Sequence, residues 1–205
     1  MKPIIFIGGG GHAQSVLCAM PKSMNVAGYA DVHANDKLAI TYLGPDAEVL
    51  KQYAPNEYDV HVTFVYAGDV NMEQRKKIIT KYAEYKHATI VSEHALVTSN
   101  VQLGEGVCVL EKAVVKADEV GKDTVINTGA IVEHGCSVGE NCLVATGAII
   151  CGDVQIGNDC LIGAGAIIRE GVNICDNVVI GLGAIVTKDI YEPGTYVGSP
   201  AKRVK

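Results

Sequence analysis

The stretch VVKADEVGKDTVINTGAIVEHGCSVGENCLVATGAIICGDVQIGNDCLIGAGAIIREGVNICDNVVIGLGAIV, residues 114–186, repeats every six residues. Val114, Val120, Ile126, Val132, Val138, Val144, Ile150, Ile156, Ile162, Ile168, Ile174, Ile180 and Val186 form an unbroken series of Val and Ile. Neither a helix, with 3.6 residues per turn, nor a strand, with a side-chain period of 2, selects one residue in six. A second class, mostly small, follows each member by four: Ala130, Cys136, Cys142, Ala148, Cys160, Ala166 and Ala184 are examples. Glycine often comes directly after the branched residue, as at Gly121, Gly139, Gly157, Gly163 and Gly181. A fixed internal period marks a stack of units, each burying its apolar face only against the next.

Three such units close a coil. A short β-branched strand forms each wall, and glycine permits the sharp turn after it. Residues one coil apart then stack at about 4.8 Å, the spacing of paired strands. Val120, Val138, Ile156 and Ile174 are expected to form one inward ladder, and Ile126, Val144, Ile162 and Ile180 a second. Val114, Val132, Ile150, Ile168 and Val186 should form the third. The product is a solid triangular prism of parallel β-structure. This pattern resembles the hexapeptide-repeat acyltransferases, and that resemblance implies a left-handed parallel β-helix. The usual crossover rule alone would favour the opposite hand.

The chain has 205 residues, a net charge of −6 and 48% hydrophobic content with few aromatics. The interior of a β-solenoid takes Val, Ile and Ala rather than rings, so this composition fits. Negative charge argues against a general nucleic-acid binder. No apolar run approaches the ~20 residues of a membrane span, and Ile4–Ile7 is too short for a secretory h-region. A cytoplasmic protein is expected. There are seven cysteines and no C-x-x-C pair. Cys136, Cys142 and Cys160 fall in the small class of the repeat, where thiols act as apolar filler.

Residues 1–90 read differently. Strands are expected at Pro3–Ile7, Asn25–Ala30, Asp59–Tyr66 and Ala88–Val91. Helices are expected at His12–Met20, Pro45–Tyr53 and from Asn71, as cap, to about Tyr85. Alternating β and α elements imply a parallel sheet, here a Rossmann-like domain of about half the usual size. Gly8-x-Gly10-x-x-Ala13 follows a strand and opens a helix, with Asp31 at the distance where a carboxylate takes a ribose hydroxyl. Glycines let phosphates approach backbone N–H groups at a helix N-terminus. Gly10, Gly11, His12 and Asp31 are therefore candidate ligands of a nucleotide or nucleotide sugar. Gly68, in the turn Ala67-Gly68-Asp69, joins them on the carboxyl edge of the sheet.

Residues 91–205 form the prism and its C-terminal extension. Ala95, Val101, Val107 and Ala113 also step by six, but one residue out of register with Val114. An extra residue near Ala113–Val114, held in a bulge or wide turn, would account for this.

One histidine lies between Lys112 and the C-terminus: His134, two residues after Val132. It is in neither class of the repeat and should point outward near a corner. Acyl transfer from a thioester to an amine or hydroxyl requires a proton to be removed as the nucleophile attacks, and a neutral imidazole suits that task. A tetrahedral intermediate also needs an N–H donor. Gly152 lies one coil above His134 and is the candidate donor. No second histidine lies nearby, so no metal site is expected.

The whole chain resembles bacterial nucleotide-sugar acetyltransferases that join a small Rossmann-like domain to a left-handed β-helix. They include UDP-4-amino-sugar N-acetyltransferases, GDP-perosamine N-acetyltransferase and the sialic acid O-acetyltransferase family. The residues carrying the resemblance are Gly10-Gly11-His12, Asp31, Asn127, Glu133-His134 and Val197-Gly198-Ser199-Pro200-Ala201-Lys202. It implies acetyl-CoA as donor, the amino group of a nucleotide-activated sugar as acceptor, a role in glycan biosynthesis, and a homotrimer with its site between neighbouring prisms. It also implies that Asn127 binds substrate and that Leu143, Gly152 and Ala164 line the path of the coenzyme arm. Relatives often place an acidic residue directly after the histidine; here that position is Gly135. Sugar O-acetylation is the alternative chemistry, and a non-catalytic nucleotide-sugar sensor the alternative of another class.

Overall fold

The computed structural model describes residues 2–65 and 72–205. The N-terminal unit runs β1 (Ile4–Ile7), α1 (Gly11–Ala19), β2 (Val26–Ala30), α2 (Asp46–Gln52), β3 (Asp59–Val62) and α3 (Glu73–Lys81). Its sheet has the order β2-β1-β3, with both pairings parallel. The central strand, Ile-Ile-Phe-Ile, is buried along its whole length. A strand covered on both faces has no polar alternation.

Two expectations change here. The strand that starts at Asp59 ends at Val62, and Thr63 and Phe64 both donate to the Ile7 carbonyl instead. Ile90–Val91 joins the prism as its first rung rather than extending the small sheet. The expected cap Asn71 and the turn at Gly68 lie outside the described residues.

From Ile90 onward two-residue rungs wind around three walls. Parallel pairing such as Val125↔Leu143, Ile131↔Ile149 and Ser137↔Gln155 places each rung 18 residues from the next on its wall. The inward ladders are those expected from Val120 to Val186, all buried. The exception is Val114. It pairs with Ile131 and faces out half-buried, while Val115 points inward opposite Val132, 17 residues on. The inward series is thus Val91, Val97, Leu103, Val109, Val115, and then Val120 after a step of five. The prism has one residue too few at the corner 116–118, not an extra one at Ala113–Val114. Ala95, Val101, Val107 and Ala113 are the small class of the early coils.

The three outer faces differ because alternate rung residues point outward. One wall presents Cys108, Val125, Leu143, Leu161 and Val179, and the N-terminal unit packs on it. A second presents Val114, Ile131, Ile149, Ile167 and Ile185, each half-buried. The third presents Gln102, Glu119, Ser137, Gln155 and Asn173, as suits a face in water.

A corner ladder fixes the N-terminal unit to the first wall. Asp123, Asn141, Asp159 and Asn177 follow one another at 18-residue steps, all with φ between +51° and +58°. Short polar side chains tolerate that left-handed region best after glycine. Three of them hold a group of the N-terminal unit. His87 Nδ1 donates to Asp123 Oδ1 at 2.6 Å, Arg75 Nη1 to Asn141 Oδ1 at 2.7 Å, and Lys76 Nζ to Asp159 Oδ2 at 2.6 Å. Asn141 Nδ2 also bonds Asp159 Oδ1 and the Met72 carbonyl. The polar spine thus substitutes for apolar packing where α3 meets the coils.

Candidate active site

Docking leaves a cleft of about 960 Å³ between the start of α1 and the first wall. His12, Ser15 and Val65 form one side. Leu143, Leu161 and Val179 form the floor, with Asn127, Thr128, Ala145, Thr146, Gly163, Ala164 and Leu182 along the corner beyond. The cleft thus brings together four expected site residues: His12, Asn127, Leu143 and Ala164. Ala145, like Ile131 and Ile149, is apolar without being inward. It belongs to this cleft, whereas the other two stand on the isoleucine face.

The glycine loop has two kinds of glycine. Gly8 has φ +111°, and a side chain at Gly9 would collide with the Tyr29 ring. Both are required by the fold. Gly10 and Gly11 have neither constraint, and a Cβ on either would meet open space. The helix has no side-chain cap, and the N–H groups of Gly10, Gly11 and His12 bond nothing among the described residues. Bare backbone donors beside open space suit an anion. Asp31 sits behind the loop: its Oδ2 accepts the Gly9 N–H at 2.6 Å and its Oδ1 the Val32 N–H at 2.6 Å. It does not line the cleft.

His12 is half-buried, but its Nε2 is enclosed and has no partner among the described residues. Burial, aided by His61 and Arg75, depresses its pKa to about 3, so it is a neutral imidazole in the cleft wall. His61 lies behind it, fully buried, with Nδ1 donating to Ala88 O at 2.8 Å. Burial lowers its pKa to about 4. His87 behaves oppositely. Burial disfavours its charge, but the bond and charge of Asp123 outweigh this and raise its pKa. Its Nε2 also meets an acceptor, Tyr82 O at 3.2 Å, so both ring nitrogens donate.

These shifts have opposite signs in stability. Between about pH 6.5 and 4 an unfolded chain takes up a proton that buried His61 refuses, so stability falls as pH falls through that window. The His87 contribution is complete below about pH 6.5 and is lost as pH rises through its raised folded pKa. We expect the melting temperature to drop on acidification from pH 6.5 to 4. His61→Asn retains a donor for Ala88 O and removes the titration, so its thermal melts should fall less over that window. An unchanged acid slope would contradict the assignment.

His134 stands at another corner, between the isoleucine face and the polar face, and its side chain is 74% exposed. Gly152 lies directly against it: a Cβ there would be 2.6 Å from Cε1 of the imidazole. The Gly152 N–H donates to nothing among the described residues. Glu133 is held by Lys116 Nζ at 3.1 and 3.3 Å; that bond, with smaller help from the backbone and charge of His134, lowers its pKa. Gly135 has φ +67°, a backbone that L side chains rarely adopt. Sequence reading missed Asp153, whose Oδ1 lies 4.0 Å from His134 Nδ1. Its signal was the 18-residue step, which sets Asp153 one place after the residue stacked on His134. Within one chain the His134 corner and the cleft do not meet.

A family model described as the hexapeptide repeat of succinyl-transferase matches residues 153–188. Comparison with curated protein sequences finds no match. The acetyltransferase domain of PglB from Neisseria gonorrhoeae FA1090 superposes with a TM-score of 0.91 at 25% identity, covering 100% of both chains. Its complex with acetyl coenzyme A gives 0.89 at 26%, covering 99% of each. A mutant of perosamine N-acetyltransferase from Caulobacter crescentus, in complex with CoA and GDP-perosamine, gives 0.87 at 26%, covering 100% of this chain and 98% of that one. The matched repeat, the wall pairing and these likenesses give the chain the left-handed β-helix fold of hexapeptide-repeat acetyltransferases. It is similar, over its full length, to an acetyltransferase domain and to a perosamine N-acetyltransferase.

Proposed function

We propose that the protein transfers the acetyl group of acetyl-CoA to the amino group of a nucleotide-activated amino sugar. The observation that carries this reading is the cleft that sets His12 and helix N–H groups, unpaired among the described residues, opposite Asn127, Leu143 and Ala164. Full-length likeness to enzymes holding CoA and a nucleotide sugar supports it.

Residues 1–90 are a Rossmann-like nucleotide-sugar-binding domain, whose last residue already enters the first rung of the prism, and residues 91–205 are an acyltransferase domain. Gly10, Gly11 and the His12 N–H receive the diphosphate. Asp31 holds the loop through Gly9 and has lone pairs left for a ribose hydroxyl. Asn127 and the neutral His12 ring offer hydrogen bonds to the sugar. The corner ladder Asn127, Ala145, Gly163 and Gly181 is built of small residues, which leaves a groove for an extended pantetheine arm beside Leu143 and Ala164.

Chemistry falls to His134. Its free nitrogen takes the proton of the amine as the amine nitrogen bonds the thioester carbonyl carbon. The Gly152 N–H, beside the ring and without a partner among the described residues, stabilises the oxygen that gains charge. When the C–S bond breaks, the thiolate leaves and is protonated by the imidazolium, which restores the neutral base. A neighbouring copy completes the site, because His134 and the cleft occupy different corners of one prism. The isoleucine face supplies the contact: contiguous apolar surface of this kind marks an interface. The assembly is a homotrimer. Sedimentation at micromolar concentration should find it, and a stable monomer would count against the shared site.

Gly10→Val is expected to raise KM for the sugar nucleotide at least tenfold by blocking phosphate approach, with little effect on melting temperature, since the position is open. Equal KM values in the two proteins would remove the loop from the site. The activity itself is tested by thiol release from acetyl-CoA with UDP-, GDP- and CMP-linked amino sugars. No release with any of them would overturn the reading.

A further inference from the structure

We propose that Asp153 is the positioning residue for His134, its carboxylate coming from the next coil rather than from the next residue. The inference rests on the function proposed above. Gly135 follows His134 with φ +67°, so the position that could hold an adjacent acid carries no side chain. Asp153 occupies that room: a Cβ built on Gly135 would run into Asp153 Oδ1. The two coils are tied at this point, since Asp153 N–H donates to the His134 carbonyl at 2.9 Å.

The Glu133 carboxylate is bound by Lys116 and meets His134 through its backbone and charge, with no bond to the ring, and Gly152 presents only backbone to the ring. Asp153 Oδ1 is 4.0 Å from His134 Nδ1, within ion-pair range and longer than a hydrogen bond. Both side chains are more than 70% exposed, so a side-chain rotation closes the gap. Catalytic hydrogen bonds are commonly long before substrate binds. Once formed, the bond fixes Nδ1 as the protonated nitrogen and leaves Nε2 as the base, because the partner of one ring nitrogen sets the tautomer of the other.

Asp153 itself has φ +61°, so the informative variants are those that accept this backbone. Asp153→Gly removes the carboxylate without strain, and Asp153→Asn keeps an acceptor but not the charge. Asp153→Gly should lower kcat roughly 10–100-fold, the scale seen when a partner that orients a functional histidine is removed. KM for acetyl-CoA should be unchanged, and Asp153→Asn should recover part of the loss. Long-range nitrogen NMR of the His134 ring should report one tautomer in the native protein and a mixture in Asp153→Gly. A purely structural corner residue would not move that signal. An unmoved tautomer together with full kcat in Asp153→Gly would overturn the assignment. If His134→Ala instead keeps full turnover, the function proposed for His134 fails, and the tautomer measurement still decides whether Asp153 holds the ring.

Discussion

His134→Ala is expected to lose roughly 10²–10⁴-fold in kcat, the usual contribution of a positioned general base. The prism should survive the change, because the side chain lies outside the core and is 74% exposed. KM for acetyl-CoA should move little, since the proposed groove is made of Leu143, Ala145, Gly163 and Ala164, on another corner. Steady-state kinetics with both substrates varied separates the two effects. Full turnover in the variant would remove His134 from the chemistry. Restoring an acid at Gly135 is not a useful complement. At φ +67°, with Asp153 already in the space, Gly135→Glu would disturb the coil before it could assist the histidine.

The largest stability effect is expected at Arg75. Its side chain is fully buried where α3 meets the prism. Nε donates to Phe64 O at 3.0 Å and Nη1 to Asn141 Oδ1 at 2.7 Å. Burial lowers its pKa, yet a guanidinium stays protonated throughout the working range. Arg75→Ala leaves the buried Asn141 Oδ1 and the half-buried Phe64 carbonyl unpaired and opens a cavity. Each orphaned group costs about 1–3 kcal/mol, so a total on the order of 3–5 kcal/mol is expected. Equilibrium urea unfolding of the variant measures it. A loss below about 1 kcal/mol would mean that the corner ladder does not hold the two parts together.

The prism was legible because its period is one that no helix or simple strand produces. Val120 to Val186 needed only the recurrence of Val and Ile at every sixth place. The register fault was misplaced for a physical reason. Val114 and Val115 are both valine, and Ala113 and Val107 suit either class, so side-chain type could not distinguish a step of five after Val115 from an inserted residue before Val114. The partner of Ile90–Val91 is not legible in the sequence, because a short apolar run carries no information about which sheet it joins.

The cleft was only partly legible. Gly10, Gly11 and His12 announced themselves by motif. Their confrontation with Asn127 and Leu143, however, depends on docking through Arg75, Lys76 and His87. The acceptors of that docking did leave a trace, since Asp123, Asn141, Asp159 and Asn177 recur at 18 residues. A corner aspartate or asparagine reads as an ordinary turn residue until the opposing cation is known.

The central claim is acetyl transfer onto a nucleotide-bound amino sugar. It is tested most directly by incubating the native protein with acetyl-CoA and a UDP-, GDP- or CMP-linked amino sugar, and following both thiol release and the mass of the sugar nucleotide. The account predicts one acetyl group gained on the amino sugar for each thiol released, with no transfer to the matching hydroxyl sugar. Acetylation of the hydroxyl sugar in preference to the amine, or thiol release with every nucleotide sugar unmodified, would contradict it.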